Sequence, residues 1–279
     1  MQRLTVYSHP LRIIWQEAPI GRLLQGATPV YAKTLISRLF TLCAQAHSAA
    51  AALLLFPEKK PDMQAAQQEL ARETLRRALT DWLPLFSHRQ ATAEEWALLR
   101  RGELSPLAST IFFDDDPQTW LAAGVKGWEA WFLQERSETA RWLAAVQNII
   151  TPTLPMASSP DHTLITHGPL DVSPLAIEYP LLSACCLSGK TTALRLLARC
   201  ITLARSLSAL PTLRWNRFDD GEWKIAVVET ARGYRIISPT TRHAQPDGVI
   251  ARELATIPLS LWSQQLQVID PCVAVNIVE

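Results

Sequence analysis

The chain has 279 residues, a formal net charge of +1 at pH 7, and a composition that is 48% hydrophobic and 19% charged. These values are those of a folded protein with its own core, and they exclude a disordered chain. The small net charge gives no support for nucleic acid or an acidic surface as a partner. No apolar run approaches the roughly 20 residues that a membrane-spanning helix needs, and no secretory signal is visible. Five cysteines at irregular spacing argue against a disulfide framework, so we expect a cytoplasmic protein.

The first half of the chain predicts one or two short strands followed by helices. Alternating apolar and polar side chains over residues 1–16 predict the strands. A helical, strongly apolar pattern runs from Pro29 to Phe56 and ends at the proline-containing segment 57–61. Asp62 can cap the next helix, and Asp116 precedes a proline at the first position of another. The predicted inward faces of these helices consist of Met63, Ala66, Leu70, Ala78, Leu79, Trp82, Trp120, Leu121, Val125, Trp128, Phe132, Trp142, Leu143 and Val146.

Residues 151–160 contain three prolines and two serines without periodicity, which marks a soft boundary. We therefore expect an N-terminal part over residues 1–150 and a C-terminal part over residues 151–279, packed as one body. In the second part, residues 175–210 predict a helix with Arg195, Arg199 and Arg205 on the polar face. Two strands joined by a turn at Gly233 follow, and then a mostly helical stretch over residues 251–268. The predicted fold class is α+β, mainly α with a small β element.

Two cysteine-containing segments lie far apart in the sequence. Residues 38–47 read Arg-Leu-Phe-Thr-Leu-Cys-Ala-Gln-Ala-His, and His47 is four positions after Cys43, so both lie on one helix face. Residues 270–275 read Asp-Pro-Cys-Val-Ala-Val, where the proline restrains the backbone before Cys272. Two thiolates suit ferrous iron or another soft metal, but they are too few for a closed zinc site. On spacing alone, a buried cysteine and a core histidine are the more common interpretation.

The two segments resemble the R-x-C-G-x-C-x-x-x-H and D-P-C-x-x-C-x-x-H motifs that hold the metal centre of the [NiFe] hydrogenase large subunit. Other segments are similar to that family in the same order: residues 11–13 to the end of R-x-E-G-H-L-R-I, 168–176 to M-E-V-G-P-L-A-R, 229–233 to E-x-x-R-G, and 239–241 to V-P-[ST]-T-W-N. The chain is about half the length of a catalytic large subunit. It is identified by this resemblance as a truncated accessory protein of hydrogenase assembly, of the HupK or HoxV type. A reduced version of the large-subunit fold is the implied architecture.

Departures from the family motifs imply that catalysis is lost. Phe40 stands where the family has the first cysteine of the N-terminal pair, and Val275 stands where it has the second cysteine of the C-terminal pair. Cys43 therefore falls on a position that bridges nickel and iron, and Cys272 on a position that binds nickel only. Ser8 replaces the glutamate of the proton path. The resemblance thus implies no hydrogen turnover and no catalytic residue, and the seven residues after Cys272 imply no C-terminal processing.

The resemblance also implies roles for individual residues. Cys43 and Cys272 would bind the metal, and His47, Arg232 and Thr240 would support the bound groups. Arg232 matches an arginine that overhangs the family's active site, and Thr240 matches a hydroxyl that hydrogen-bonds a cyanide ligand. A cyanide nitrogen accepts hydrogen bonds, so a guanidinium and a hydroxyl are suitable partners. The alternative for Arg232 and Thr240 is ordinary turn and strand chemistry.

The function implied by the resemblance is that of a non-catalytic maturation factor. It would be a scaffold or carrier that binds iron transiently, as Fe(CN)2(CO), during cofactor assembly. The implied partners are the general Hyp-type maturation proteins that build this fragment, the apo large subunit, and as a further partner the small subunit. The alternative is a metal-free chaperone that imitates the large subunit. A nucleotide-using enzyme is disfavoured, because Ser188-Gly189-Lys190-Thr191 lacks the first glycine and the preceding strand of a phosphate-binding loop.

Overall fold

The computed structural model describes residues 2–56, 58, 63–151, 171, 173–208, 226–230 and 233–279. The helices are α1 (Ile20–Leu23), α2 (Pro29–Leu39), α3 (Ala44–Leu55), α4 (Met63–Arg77), α5 (Leu83–Phe86), α6 (Ala93–Arg101), α7 (Leu104–Ala108), α8 (Pro117–Ala122), α9 (Gly124–Leu133), α10 (Glu138–Val146), α11 (Pro174–Leu182), α12 (Thr191–Leu207), α13 (Pro239–His243), α14 (Val249–Leu254) and α15 (Trp262–Ile269). The strands are β1 (Arg3–Ser8), β2 (Leu11–Gln16), β3 (Ala226–Thr230), β4 (Gly233–Ile237) and β5 (Val275–Val278). Two π-helical turns, Ala78–Trp82 and Ser109–Phe113, and a 3-10 turn, Leu259–Leu261, complete the regular structure. The predicted class, mainly α with a small β element, is confirmed.

Two of the predicted helices are each divided in the structure. The stretch from Pro29 to Phe56 forms α2 and α3, and Cys43 occupies the cap position at the start of α3. No glycine or proline marks this break, so hydrophobic periodicity could not show it. The stretch 175–210 forms α11 and α12, separated by a turn in which Gly189 has φ +81°. The predicted cap at Asp116 is confirmed, because its carboxylate accepts from the amides of Gln118 and Thr119 at 2.9 and 3.2 Å.

An aromatic cluster lies in the main core. The ring centroids of Trp82, Phe112 and Trp142 lie 6.1 Å apart in each pair, at edge-to-face angles. Such pairs add about 0.5–1.5 kcal/mol beyond the burial of their area. Trp82 and Trp142 belong to different predicted helices, and both are buried as their periodicity predicts. Among the described helices, none is long and apolar enough to cross a lipid bilayer.

Helix α12 runs through the core, and every residue from Thr191 to Ala204 is buried. This corrects the prediction that Arg195 and Arg199 lie on a polar face. Both guanidinium groups are buried because distant carboxylates neutralise them. Arg195 pairs with Asp171 and Glu253, each at 2.6 Å, and Arg199 pairs with Asp270 at 2.7 Å. A charge count along one helix cannot reveal partners that lie so far away in the sequence.

The larger sheet joins the two ends of the sequence. Strand β1 pairs antiparallel with β2 and parallel with β5, in the order β2-β1-β5. The structure has two strands where the sequence predicts one or two, and β5 was not predicted. In the second sheet, β3 and β4 form the predicted antiparallel hairpin. Most of the predicted boundary, residues 151–160, lies outside the described residues, so the division into two parts stays a prediction.

Candidate functional site

The two cysteines predicted to bind metal line the same cavity, which has a volume of about 80 Å³. This volume is room for several water molecules or a ligand of a few atoms. His47 and Thr240 line it too, so the structure brings together four of the five predicted site residues. The fifth, Arg232, lies outside the described residues. The walls come from the turn before α3, from α4, α12 and α13, and from the loop after α15.

Cys43 is fixed by the turn that begins α3. Its side chain is 6% exposed, and His47 Nδ1 lies 2.9 Å from the carbonyl oxygen of Cys43. A carbonyl can only accept, so Nδ1 carries the proton. The His47 ring stacks on Phe40 with centroids 3.7 Å apart and planes 8° from parallel. Phe40, which stands at a cysteine position of the motif that the segment resembles, thus orients the His47 ring, and the ring in turn fixes the turn at Cys43.

His47 is a neutral imidazole at physiological pH. Burial lowers its pKa to about 4, although its bond to Cys43 opposes the shift. The hydrogen bond of the imidazole in the structure is to the Cys43 carbonyl and not to the Cys43 sulfur. With Nδ1 protonated, Nε2 has a free lone pair, and it has no hydrogen-bond partner among the residues the structure describes.

The thiol of Cys43 is held in its neutral form. Burial raises its pKa, and the neighbouring Cys272, Glu69 and Glu73 raise it further. A helix start normally lowers the pKa of a thiol through its free amides. Here the Glu69 carboxylate accepts from the amides of Gln45 and Ala46 at 3.0 and 3.1 Å. The helix start therefore has a carboxylate already bound, and the thiol gains little from it.

Cys272 is positioned by Thr240. The Thr240 hydroxyl oxygen accepts from the Cys272 amide at 2.9 Å and lies 2.9 Å from the Cys272 sulfur. Thr240 is itself placed by a capping box at the start of α13, formed by Ser238 and Thr241. Cys272 is exposed as a residue, yet desolvation of its thiol raises the pKa, and the hydrogen bonds of Thr240 and Ser238 only partly oppose this. Both thiols are therefore protonated in the metal-free protein.

Two arginines clamp the loop that leads to Cys272, a feature that the sequence analysis missed. Asp270 adopts a left-handed backbone conformation, with φ 59° and ψ 62°. Its carboxylate pairs with Arg199 at 2.7 Å and with Arg77 at 2.8 Å. Arg77 also donates to the carbonyl of Pro271 at 3.0 Å, and Arg199 donates to that of Ile269 at 3.0 Å. The sequence signal available for Arg199 was that it lies four residues after Arg195 in the largely apolar middle of α12.

A buried network behind the cavity fixes the segment at Asp171. Arg195 donates to Ser173 Oγ at 2.8 Å as well as pairing with Asp171 and Glu253. Burial alone would raise the pKa of Asp171, but Arg195 and His243 more than reverse this and hold the pKa well below its usual range. Ser173 lines the cavity, so this network sets the position of one of its walls.

The donor set suits a cargo that brings its own ligands. Within the described parts of the chain, no three His, Cys, Asp or Glu side chains are grouped so that they could hold a metal ion. A bare ion would therefore lack ligands, since closed sites need about four. Cys43 and Cys272 offer two soft sulfurs, which suit a metal whose remaining positions are already filled.

Comparison with known proteins gives one informative match. The sequence is 28% identical over 287 residues to the hydrogenase expression/formation protein HupK of Rhodobacter capsulatus, covering 94% of this chain and 90% of that protein. No protein-family model matches the sequence, and no solved structure matches the chain. The relation to the large-subunit fold therefore stays a prediction. The HupK similarity extends over nearly the whole of both sequences, so the chain resembles a hydrogenase expression/formation protein along its length and not in one segment alone.

Proposed function

We propose that this chain is a non-catalytic hydrogenase maturation factor that carries Fe(CN)2(CO) as cargo on Cys43 and Cys272. The observation that carries this proposal is the convergence of the two cysteines, from opposite ends of the sequence, on one small cavity. The similarity to a hydrogenase expression/formation protein supports the same biological context. Cyanide and carbonyl ligands on the iron would complete a coordination sphere that two thiolates alone leave open.

Binding would convert two neutral thiols into thiolates. Each thiol loses its proton to solvent as its sulfur bonds to iron, so loading releases protons. Ferrous iron with two cyanides and two thiolates is an anionic group. Arg77 and Arg199 line the cavity, and both pair with the carboxylate of Asp270, while Arg77 also pairs with Asp81 at 3.3 Å. Their guanidinium groups are the positive charges that would face such an anionic cargo.

Thr240 would keep the Cys272 thiolate in place, because its hydroxyl can donate to the sulfur that it already contacts at 2.9 Å. Arg232 is proposed to donate to a cyanide nitrogen, as its match to the family motif implies. The donor of the cargo would be the Hyp-type proteins that build the iron fragment, and the acceptor would be the apo large subunit. The small subunit is a further proposed partner.

Infrared spectroscopy with iron analysis tests the proposal. The protein is purified without oxygen from cells that produce the maturation proteins. We expect near-stoichiometric iron together with the vibrations of metal-bound carbonyl and cyanide. A Cys43→Ala/Cys272→Ala variant should lack both signals, and Cys186→Ala, which removes an exposed thiol elsewhere, should keep them. Iron-free wild-type protein that still binds its partners would instead support the metal-free chaperone.

A further inference from the structure

A second cavity, which we call the outer groove, adjoins the site described above, which we call the inner cavity. The outer groove has a volume of about 390 Å³ and lies between α4, α15 and β5. Leu42, Arg77 and Cys272 line both cavities. Cys272 therefore stands at the boundary between the two spaces, with Leu42 and Arg77 beside it.

The two cysteines differ in the spaces that they border. Cys272 lines both the inner cavity and the outer groove, and the residue is partly exposed, whereas Cys43 is 6% exposed and, of these two spaces, lines only the inner cavity. His47, which is 2% exposed, also lines the inner cavity, with an Nε2 that lacks a partner among the described residues. A buried polar atom without a protein partner indicates a place where water or a polar ligand can supply the missing hydrogen bond. The inner cavity is thus suited to hold a bound group, and the outer groove is suited to admit it.

We propose that Cys272 receives the iron cargo from the outer groove and passes it inward to Cys43 through an opening between Leu42 and Arg77. This order rests on the proposed function. In the first step, the Cys272 thiol loses its proton to solvent and its sulfur displaces one thiolate of the donor protein from the iron. The donor thiolate takes up a proton. In the second step, the Cys43 thiol loses its proton to solvent and its sulfur displaces a second donor thiolate, which takes up a proton. The iron would then be bound to both Cys272 and Cys43 with its oxidation state unchanged.

One side of the opening is rigid and the other can move. Arg77 is fixed by Asp270 at 2.8 Å, by the Pro271 carbonyl at 3.0 Å and by Gln267 at 3.1 Å. Leu42 lies in the turn between α2 and α3 and is 49% exposed. An apolar side chain can change rotamer without breaking a hydrogen bond. Leu42 is therefore the residue whose size should control passage into the inner cavity.

Thiol labelling of the full-length protein with N-ethylmaleimide, followed by mass spectrometry, tests this order. Cys272 should react at least ~10-fold faster than Cys43, because of the two only Cys272 borders the wide outer groove through which the reagent arrives. Cys186, which is exposed, and Cys200, which is fully buried, are internal standards for fast and slow labelling. Equal rates for Cys43 and Cys272 would overturn the proposal.

Variants of Leu42 test the opening itself. In a Cys272→Ser background, Leu42→Ala should speed the labelling of Cys43 severalfold and Leu42→Trp should slow it, while Cys186 keeps its rate. If neither Leu42 variant changes the labelling rate of Cys43, the proposed opening between Leu42 and Arg77 is wrong. Labelling needs no iron, so the two ideas fail separately. If the protein retains iron but the labelling of Cys43 does not depend on Leu42, only the opening is refuted. If labelling follows the expected order but the protein never binds iron, the iron cargo is refuted.

Discussion

Cys43 and Cys272 are held by different contacts. Cys43 is buried at the start of α3, and His47 fixes its carbonyl from within the same helix. Cys272 is exposed on a loop, and Thr240 in α13 fixes both its amide and its sulfur. Replacement of Cys43 and replacement of Cys272 should therefore affect the proposed cargo differently, because a buried ligand loses its metal to solvent more slowly.

Cysteine variants should reveal this difference. Cys43→Ala should abolish iron retention, whereas Cys272→Ala should leave a weakened remnant, because only Cys43 corresponds to an iron-contacting position of the family motif. His47→Ala should weaken retention without removing a ligand. Iron content after purification and hydrogenase maturation in cells should fall in the same order. If Cys43→Ala keeps its full iron content and supports full maturation, the carrier function is wrong and the metal-free chaperone takes its place.

Thr240 offers a test at the other thiol. Thr240→Val keeps the shape of the side chain but removes the hydroxyl that contacts the Cys272 amide and sulfur. We expect the free energy of unfolding to fall by about 1–2 kcal/mol, because the amide loses its acceptor. Iron retention should fall as well, and Thr240→Ser, which keeps the hydroxyl, should restore much of both. Equal behaviour of the valine and serine variants in denaturant unfolding and iron analysis would contradict this role.

His243 should make stability depend on pH. Burial lowers its pKa from an ordinary 6.5 to about 4; Arg195, Arg199 and Arg242 lower it too, while Asp171 opposes the shift. Between these values the unfolded chain binds a proton that the folded protein does not. The free energy of unfolding should therefore fall as the pH drops from about 7 to about 4, by up to about 3 kcal/mol. Urea unfolding of His243→Gln should show a smaller slope in this window, and an unchanged slope would assign the effect elsewhere.

At the scale of elements, the loop between α15 and β5 carries Cys272 and owes its shape to Asp270. Asp270→Ala would leave the buried guanidinium of Arg199 without its carboxylate, and breaking a buried pair typically costs about 3–5 kcal/mol. Chemical denaturation should show a loss of this order. Glu103→Ala is the matched control, because it breaks an exposed pair with Arg101, and such pairs contribute about 0–1 kcal/mol. Similar losses in both variants would mean that the clamp on the loop is not a buried pair in solution.

Elements with a local signal could be predicted, and elements defined by distant partners could not. The hairpin at residues 1–16 and the faces carrying Trp82 and Trp142 follow from periodicity, and the cap at Asp116 follows from its neighbouring proline. Strand β5 has four residues, and its partner β1 lies at the other end of the sequence. Arg199 was placed on a polar face because Asp270, its partner, is 71 residues away in the sequence. Tertiary pairing, which no local pattern records, decided both.

At the scale of the whole molecule, the candidate site was predictable only through the order of its motifs. Cys43 and Cys272 could be nominated from spacing and resemblance, and the structure places them on one cavity. The outer groove and the Arg77 wall could not be foreseen, because they arise where α4, α15 and β5 meet. Arg77 carries no motif, and its contacts to Asp270 and Pro271 come from tertiary packing alone.

The isolated protein should neither take up nor evolve hydrogen. By the resemblance to the large-subunit motifs, Phe40 and Val275 stand at two of the four cysteine positions, and Ser8 stands at the glutamate of the proton path. A dinuclear centre could not be held by the two remaining thiols. Amperometric or gas-chromatographic assays on iron-loaded protein should therefore give no turnover. Activity that persists in protein purified from a strain lacking all hydrogenases would refute this expectation.

The parallel pairing of β5 with β1 has a consequence for the timing of synthesis. The ribosome makes β1 long before β5, so β5, which follows the Cys272 loop, cannot pair with β1 until translation has passed Val278. A growing chain that already carries Cys43 still lacks the second sulfur and the strand that anchors it. Under the proposed function, the chain could therefore offer both sulfurs to its cargo only after translation has passed β5.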